Sequence, residues 1–156
     1  MSAPLPWNNE HVQALIPHRE PFLFVDEVID RTEESLTATW RVPPEADWFR
    51  GHYPGQPVQP GALTCEHVFQ VAAVHISNAL GGFSPEDGVP VLTRIENARF
   101  RRMVQPGETL TTAVQVEERV GPAWYMSGRV TVNGERVLQV RFALTATGAM
   151  SRVAGA

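Results

Sequence analysis

From Ser35 onward the chain alternates apolar and polar residues, so that Leu36, Ala38, Trp40 and Val42 fall on one side. That two-residue rhythm predicts a half-buried strand over 35–42. The apolar run FLFVDEVI predicts another over 22–29. The second half of the chain reads as strands over 89–95, 98–104, 109–119, 124–132 and 136–147. Asn133-Gly134 between the last two marks a type I′ hairpin, because both turn positions need positive φ. Residues 62–80 follow a different pattern. Their apolar side chains fall on nearly every side of a 3.6-residue helix, and Gly81-Gly82 supplies the stop. Asn8 reads as the N-cap of a shorter helix that runs to Ile16, where Pro17 ends it. One helix buried all round and five to six antiparallel strands satisfy one another only if the sheet curls around the helix, which predicts an α+β arrangement.

Residues 43–61, between the strands and the long helix, are irregular and rich in proline and glycine. Loops of that length inside a compact domain usually carry function. At 156 residues one domain is expected, with its core over about 8–147 and a small-residue, flexible tail over 148–156. The formal net charge is −4 and the isoelectric point about 5.7, which argues against a nucleic-acid partner. All 13 basic residues are arginine, so lysine Schiff-base and P-loop chemistry are excluded. Cys65, the single cysteine, forms no internal disulfide and fits a reducing, cytoplasmic setting. Neither a signal-peptide pattern nor a membrane-spanning run is visible, and no membrane association is expected.

Candidate chemistry concentrates in DWFRGHYPGQPVQPGALTCEHVFQ, residues 47–70. His52 lies between a glycine and an aromatic residue in the rigid loop. Gly61 opens the long helix, where a backbone N–H can donate to a carbonyl that gains negative charge. Glu66 and Gln70, four apart, share one face of an otherwise apolar helix. A carboxylate in such a helix must be paired, protonated or useful, and burial raises its pKa towards the range suited to proton transfer. On the residues alone, a solvated Glu66 or one bonded to loop backbone is an equal reading. Base, acid and carbonyl donor together suit proton abstraction next to a carbonyl, with loss of a β substituent. His67 and His75 lack the spacing of a metal motif, so no metal site is expected. Cys65 and His18 read as structural. Arg99, Arg101 and Arg102 form the densest basic cluster, with Arg99 and Arg101 on one strand face and Arg102 on the other. An ordinary solvated face is an equal reading for them.

Three blocks in order resemble the (3R)-hydroxyacyl-[acyl-carrier-protein] dehydratases of FabZ type, which have the hot dog fold. IPHREPFLFVDEV (16–28) is similar to the family's opening, WFRGHYPGQPVQPGALTCEHVFQ (48–70) to its central motif, and IENARFRRMVQPGETL (95–110) to its third. The resemblance implies that His52 is the base removing a C2 proton and Glu66 the acid that helps the C3 hydroxyl leave as water. It also implies that Gly61 polarises the thioester carbonyl and that Gln70 orients the acid. Tyr53 supports the site, and the His52–Tyr53 peptide is implied to be cis. The substrate would ride on the phosphopantetheine of acyl carrier protein or coenzyme A, with no cofactor. Arg99, Arg101 and Arg102 become candidate contacts for an acidic carrier or its phosphate. The family further implies a homodimer, or a trimer of dimers, with histidine and glutamate of each site from different subunits.

Gln59 stands where the family has methionine, and His67, Val68 and Phe69 replace small or flexible residues. Glu20 and Met103 also depart from the family's tyrosine and proline. Gln59 and Phe69 are therefore the residues expected to reshape the acyl tunnel. A glutamate in place of aspartate favours plain dehydration over combined dehydration and isomerisation. A hot dog thioesterase and a non-catalytic acyl-binding protein are the alternatives. His52 within GHYPG argues against the first, because hydrolysis needs no base aimed at C2, and the intact His52/Glu66 pair argues against the second.

Overall fold

The computed structural model describes residues 3–82 and 88–146. Helix α1 (Asn9–Leu15) begins where the Asn8 side chain accepts the His11 N–H, and it ends at Ile16, whose backbone is extended ahead of Pro17. Strands β1 (Glu27–Arg31) and β2 (Ser35–Arg41) follow, then a 3-10 turn over Asp47–Arg50 and the long helix α2 (Gly61–Ala79). Strands β3 (Pro90–Phe100), β4 (Thr109–Val120), β5 (Ala123–Val132) and β6 (Glu135–Ala146) complete one antiparallel sheet in the order β1-β2-β4-β5-β6-β3. The tail over 148–156 lies outside the described residues.

Helix α2 packs against β2, β3, β4, β5 and β6, and its residues Val68, Val71, Ala72, Val74 and Ile76 are fully buried. A Cβ at Gly128 of β5 would collide with Val68, so the glycine is what lets helix and sheet approach. The helix closes with paired bonds from Gly82 N–H to Ser77 C=O (2.8 Å) and from Gly81 N–H to Asn78 C=O (3.2 Å). With Gly81 at φ 88° this is a Schellman cap. Asn133 (φ 50°) and Gly134 (φ 80°) make the two-residue β5–β6 turn, as a type I′ hairpin demands.

Two expected elements are corrected. Residues 22–29 are not one strand, since β1 starts only at Glu27. Before it, helix side chains satisfy the backbone of Phe24: its N–H donates to Gln70 Oε1 (2.7 Å), and its carbonyl meets His67 Nδ1 at 2.6 Å. The two strands expected over 89–95 and 98–104 are a single strand that ends at Phe100. It is bulged between Leu92 and Arg94 and again between Glu96 and Arg99, with Asn97 at φ 50°.

Strand β3 is a sheet edge, bonded to β6 alone. It carries Ile95 and Phe100, each 52% exposed. A long edge with exposed apolar side chains is a template for pairing with another chain.

Candidate active site

His52 follows the 3-10 turn, where its N–H donates to Trp48 C=O (2.9 Å). Its Nδ1 meets the Val58 carbonyl at 2.7 Å, and its ring rests on Tyr53 with centroids 4.7 Å apart. A carbonyl only accepts, so Nδ1 is the donor here, and in the neutral ring Nε2 is the nitrogen that can take a proton. That is the protonation pattern a general base requires. The His52–Tyr53 peptide is trans, which corrects the cis bond implied by the family. Among the described residues the cis bonds are Leu5–Pro6 and Glu20–Pro21. Instead the turn is made by Tyr53 itself, in the left-handed region at φ 58° and 64% exposed.

Gly61 starts α2 with a backbone N–H that has no acceptor among the described residues. Nineteen residues of aligned peptide dipoles stand behind it, so a developing oxyanion is favoured there. A Cβ on Gly61 would come within 2.9 Å of the Phe100 ring, so a side chain cannot be added without displacing that ring. His52, Tyr53, Gln59, Gly61, Phe100 and Arg101 line one open cleft of about 580 Å³.

Glu66 sits elsewhere. It lines a cleft of about 230 Å³ with His18, Phe69, Gln70, Pro90 and Leu92, and no residue is common to the two clefts. Its Oε1 accepts from Gln70 Nε2 (3.0 Å), and that nitrogen also donates to Phe22 C=O (3.1 Å). Because Gln70 Oε1 takes the Phe24 N–H, the amide cannot flip, and the donor stays aimed at the carboxyl. Burial pushes the Glu66 carboxyl above its ordinary pKa, and the Gln70 bond opposes only part of that shift.

His18, read from the sequence as structural, lies beside the acid. Its Nε2 stands 3.7 Å from Glu66 Oε1. Desolvation, then the neighbouring Arg19 charge, lowers its pKa, so His18 is neutral near pH 7 and does not hold Glu66 as an ion pair. Only its place in the IPHREP block next to Phe22–Phe24, which Gln70 binds, marks it in the sequence.

The remaining histidines of α2 are structural. His67 Nδ1 bonds the Phe24 carbonyl and Nε2 lies 2.7 Å from the Thr112 hydroxyl, so both ring nitrogens are engaged. Complete burial holds its pKa down at about 4 and the ring neutral. His75 is buried edge-on against Trp124. No cluster of three metal-capable side chains occurs among the described residues. Burial raises the Cys65 thiol pKa, which makes it a poor nucleophile.

The arginine cluster divides. β3 ends at Phe100, so Arg101 lies beyond the strand and opens into the His52 cleft. Arg102 is committed internally, gripping both oxygens of Glu108 at 2.8 Å and reaching Glu135 at 3.1 Å. Arg99 and Arg101 stay exposed. The two expected tunnel residues also separate: Gln59 lines the His52 cleft, and Phe69, against Phe142, lines the Glu66 cleft.

A six-stranded antiparallel sheet curled on one central helix, with this histidine loop leading into it, defines a hot dog fold protein. A family model for the FabA-like domain matches residues 16–141. The 3-hydroxyacyl-[acyl-carrier-protein] dehydratase FabZ of Rickettsia felis is 38% identical over 132 residues, which are 84% of this chain and 90% of that protein. FabZ of Anaeromyxobacter dehalogenans is also 38% identical, over 84% of this chain and 85% of its own. Among solved structures, the dehydratase heterocomplex ApeI:P of Xenorhabdus doucetiae superimposes with a TM-score of 0.73 at 14% identity, covering 92% of each chain. A hypothetical thioesterase with coenzyme A from Streptococcus pneumoniae does so at 0.60 and 12% identity, over 78% of this chain and 84% of that one. Likenesses that distant show the fold alone. By family model and by sequence, the chain belongs to the FabA-like family, among its FabZ-type dehydratases.

Proposed function

We propose that the protein removes water from (3R)-3-hydroxyacyl thioesters to give trans-2-enoyl thioesters, in a site completed by a second copy of the chain. His52 Nε2 takes the C2 proton as the thioester oxygen, gaining charge, accepts the Gly61 N–H. Glu66, protonated, passes its proton to the C3 hydroxyl; the C3–O bond breaks and water leaves as the C2–C3 double bond forms. The step needs only these groups and no cofactor. Gln70 keeps the acid in place.

The observation that carries this reading is the separation of base and acid into two clefts that border opposite ends of the same exposed edge strand. The His52 cleft touches Phe100 and Arg101, and the Glu66 cleft touches Pro90 and Leu92. Ile95 is the midpoint between Pro90 and Phe100. A two-fold axis at Ile95, pairing β3 antiparallel with its copy, sets Pro90 of one chain opposite Phe100 of the other. The Glu66 cleft of each protomer then meets the His52 cleft of its partner. The same pairing covers Ile95 and Phe100.

The substrate arrives on phosphopantetheine, from acyl carrier protein or coenzyme A, in the cytoplasm. Arg99 and Arg101 are placed to meet an acidic carrier or its phosphate at the mouth of the His52 cleft, while Arg102 positions the strand end through Glu108. A hydration–dehydration assay with crotonyl and 3-hydroxybutyryl pantetheine thioesters tests the reaction. Reversible change in enoyl absorbance is expected from the wild type and not from His52→Ala. Release of free thiol without that change would make the protein a thioesterase, and neither signal would leave acyl binding.

A further inference from the structure

Two glutamines border the site, and they differ in one respect. Gln70 has both amide ends engaged. Gln59, only 4% exposed, has one end free. Its backbone N–H donates to Val104 C=O (2.8 Å), which fixes the main chain. Its Oε1 accepts from Trp48 Nε1 at 2.9 Å. The indole N–H is a donor only, so the amide orientation is determined and Nε2 must be the other atom. Trp48 is itself held by ring contacts with Phe24 and Phe49, at 5.8 and 5.9 Å. Nε2 is buried and has no acceptor among the described residues.

A buried, unpaired amide destabilises a fold. Gln59 is also one of the residues that line the cleft of His52 and Gly61. An apolar side chain there would suit a plain hydrocarbon chain without that cost. A fixed N–H donor suits a chain that brings its own acceptor, and such a donor discriminates because the wrong ligand leaves it unpaired.

We propose that Gln59 is a specificity-determining residue whose Nε2 donates a hydrogen bond to an oxygen carried by the acyl chain, so that the preferred substrate is an oxygenated rather than an all-carbon acyl thioester. The reaction by which this is read rests on the dehydratase reading above. The recognition does not. Trp48 is a positioning residue: it takes the acceptor end of the amide, so that the end left free is the donor.

The test uses pantetheine thioesters of 3-hydroxyoctanoate and of its three analogues in which an ether oxygen replaces carbon 5, 6 or 7. An ether accepts hydrogen bonds but cannot donate, and it cannot close a lactone. The wild type is expected to favour one of the three over the all-carbon chain roughly tenfold in kcat/KM, the discrimination that one well-placed hydrogen bond provides. In Gln59→Met that ratio should collapse to about one or invert. Trp48→Phe frees the amide to turn over and should weaken the ratio by less. Because each readout is a ratio within one variant, a general loss of activity cancels.

A ratio unchanged in Gln59→Met overturns the proposal. This includes the case in which all substrates slow together, since the amide would then serve the thioester oxygen common to all, and the case in which it merely holds water. A wild type that prefers the all-carbon chain overturns it too. Calorimetric binding of the corresponding saturated pantetheine amides separates the two readings. If nothing is dehydrated but the wild type still binds one ether amide more tightly and Gln59→Met does not, the reaction assignment fails and the recognition stands.

Discussion

The two clefts beside α2 are built from the same helix and edge strand yet are chemically unlike. The His52 cleft is the more open, at the helix N-terminus, with a bare imidazole nitrogen, an unpaired helix N–H and an arginine at its rim. The Glu66 cleft is small and largely apolar, and burial there keeps a carboxyl protonated beyond its normal range. In the proposed reaction one cleft receives negative charge and removes a proton, and the other holds a proton and gives it up. A single environment could not do both, since the desolvation that raises Glu66 would also weaken a basic histidine. The proposed dimer resolves that conflict by keeping the two apart within each chain and joining them by symmetry.

The comparison breaks most completely if either cleft loses its reacting group. His52→Ala and Glu66→Gln should each lower kcat/KM by about 10²–10⁴-fold, the usual range for a general base or acid, with folding intact by circular dichroism. Disrupting the edge should follow closely. Ile95→Arg places two like charges at the proposed axis, so sedimentation should show dissociation, and activity should rise steeply with protein concentration.

A subtler effect separates the clefts by pH. Glu66 must be protonated to act, so activity falls as pH rises through its elevated pKa. Gln70 favours the charged form, and Gln70→Leu should therefore move the alkaline limb of kcat/KM to higher pH. The smallest expected effect lies at the border of the His52 cleft. Arg102→Ala removes a largely solvent-screened network and should lower the melting temperature by roughly 2–4 °C, for a loss of about 1 kcal/mol. Arg102, bonded to Glu108, holds that carboxyl below its ordinary pKa of 4.5. The stabilisation is present above that value and is lost as pH falls through the lowered one, so the melting difference should shrink in acid.

Residue pattern made the helices, the hairpin and strands β2, β4, β5 and β6 legible, because each depends on local periodicity or a turn residue. It misread Phe22–Phe24 because the partner of that backbone is Gln70, forty-six residues away from Phe24, and not a neighbouring strand. It divided β3 at Asn97 because a bulge and a turn use the same positive φ. His52, Gly61, Glu66 and Gln70 could be chosen from residue type and spacing. That His52 and Glu66 open into different clefts was implied only by the family resemblance and not by residue pattern, since it depends on which face of α2 meets which end of β3. His18 beside Glu66 was illegible for the same reason, and the free end of Gln59 depends on a tryptophan eleven residues earlier.

Mixing the two inactive variants tests the shared site most directly. His52→Ala and Glu66→Gln chains, co-refolded or co-expressed in equal amounts, form mixed dimers in half of all pairings. Each mixed dimer has one site with both intact groups, so about a quarter of wild-type dehydration should return. If the mixture stays as inactive as its parts while mixed dimers are present by native mass spectrometry, base and acid act within one chain and the composite site is wrong.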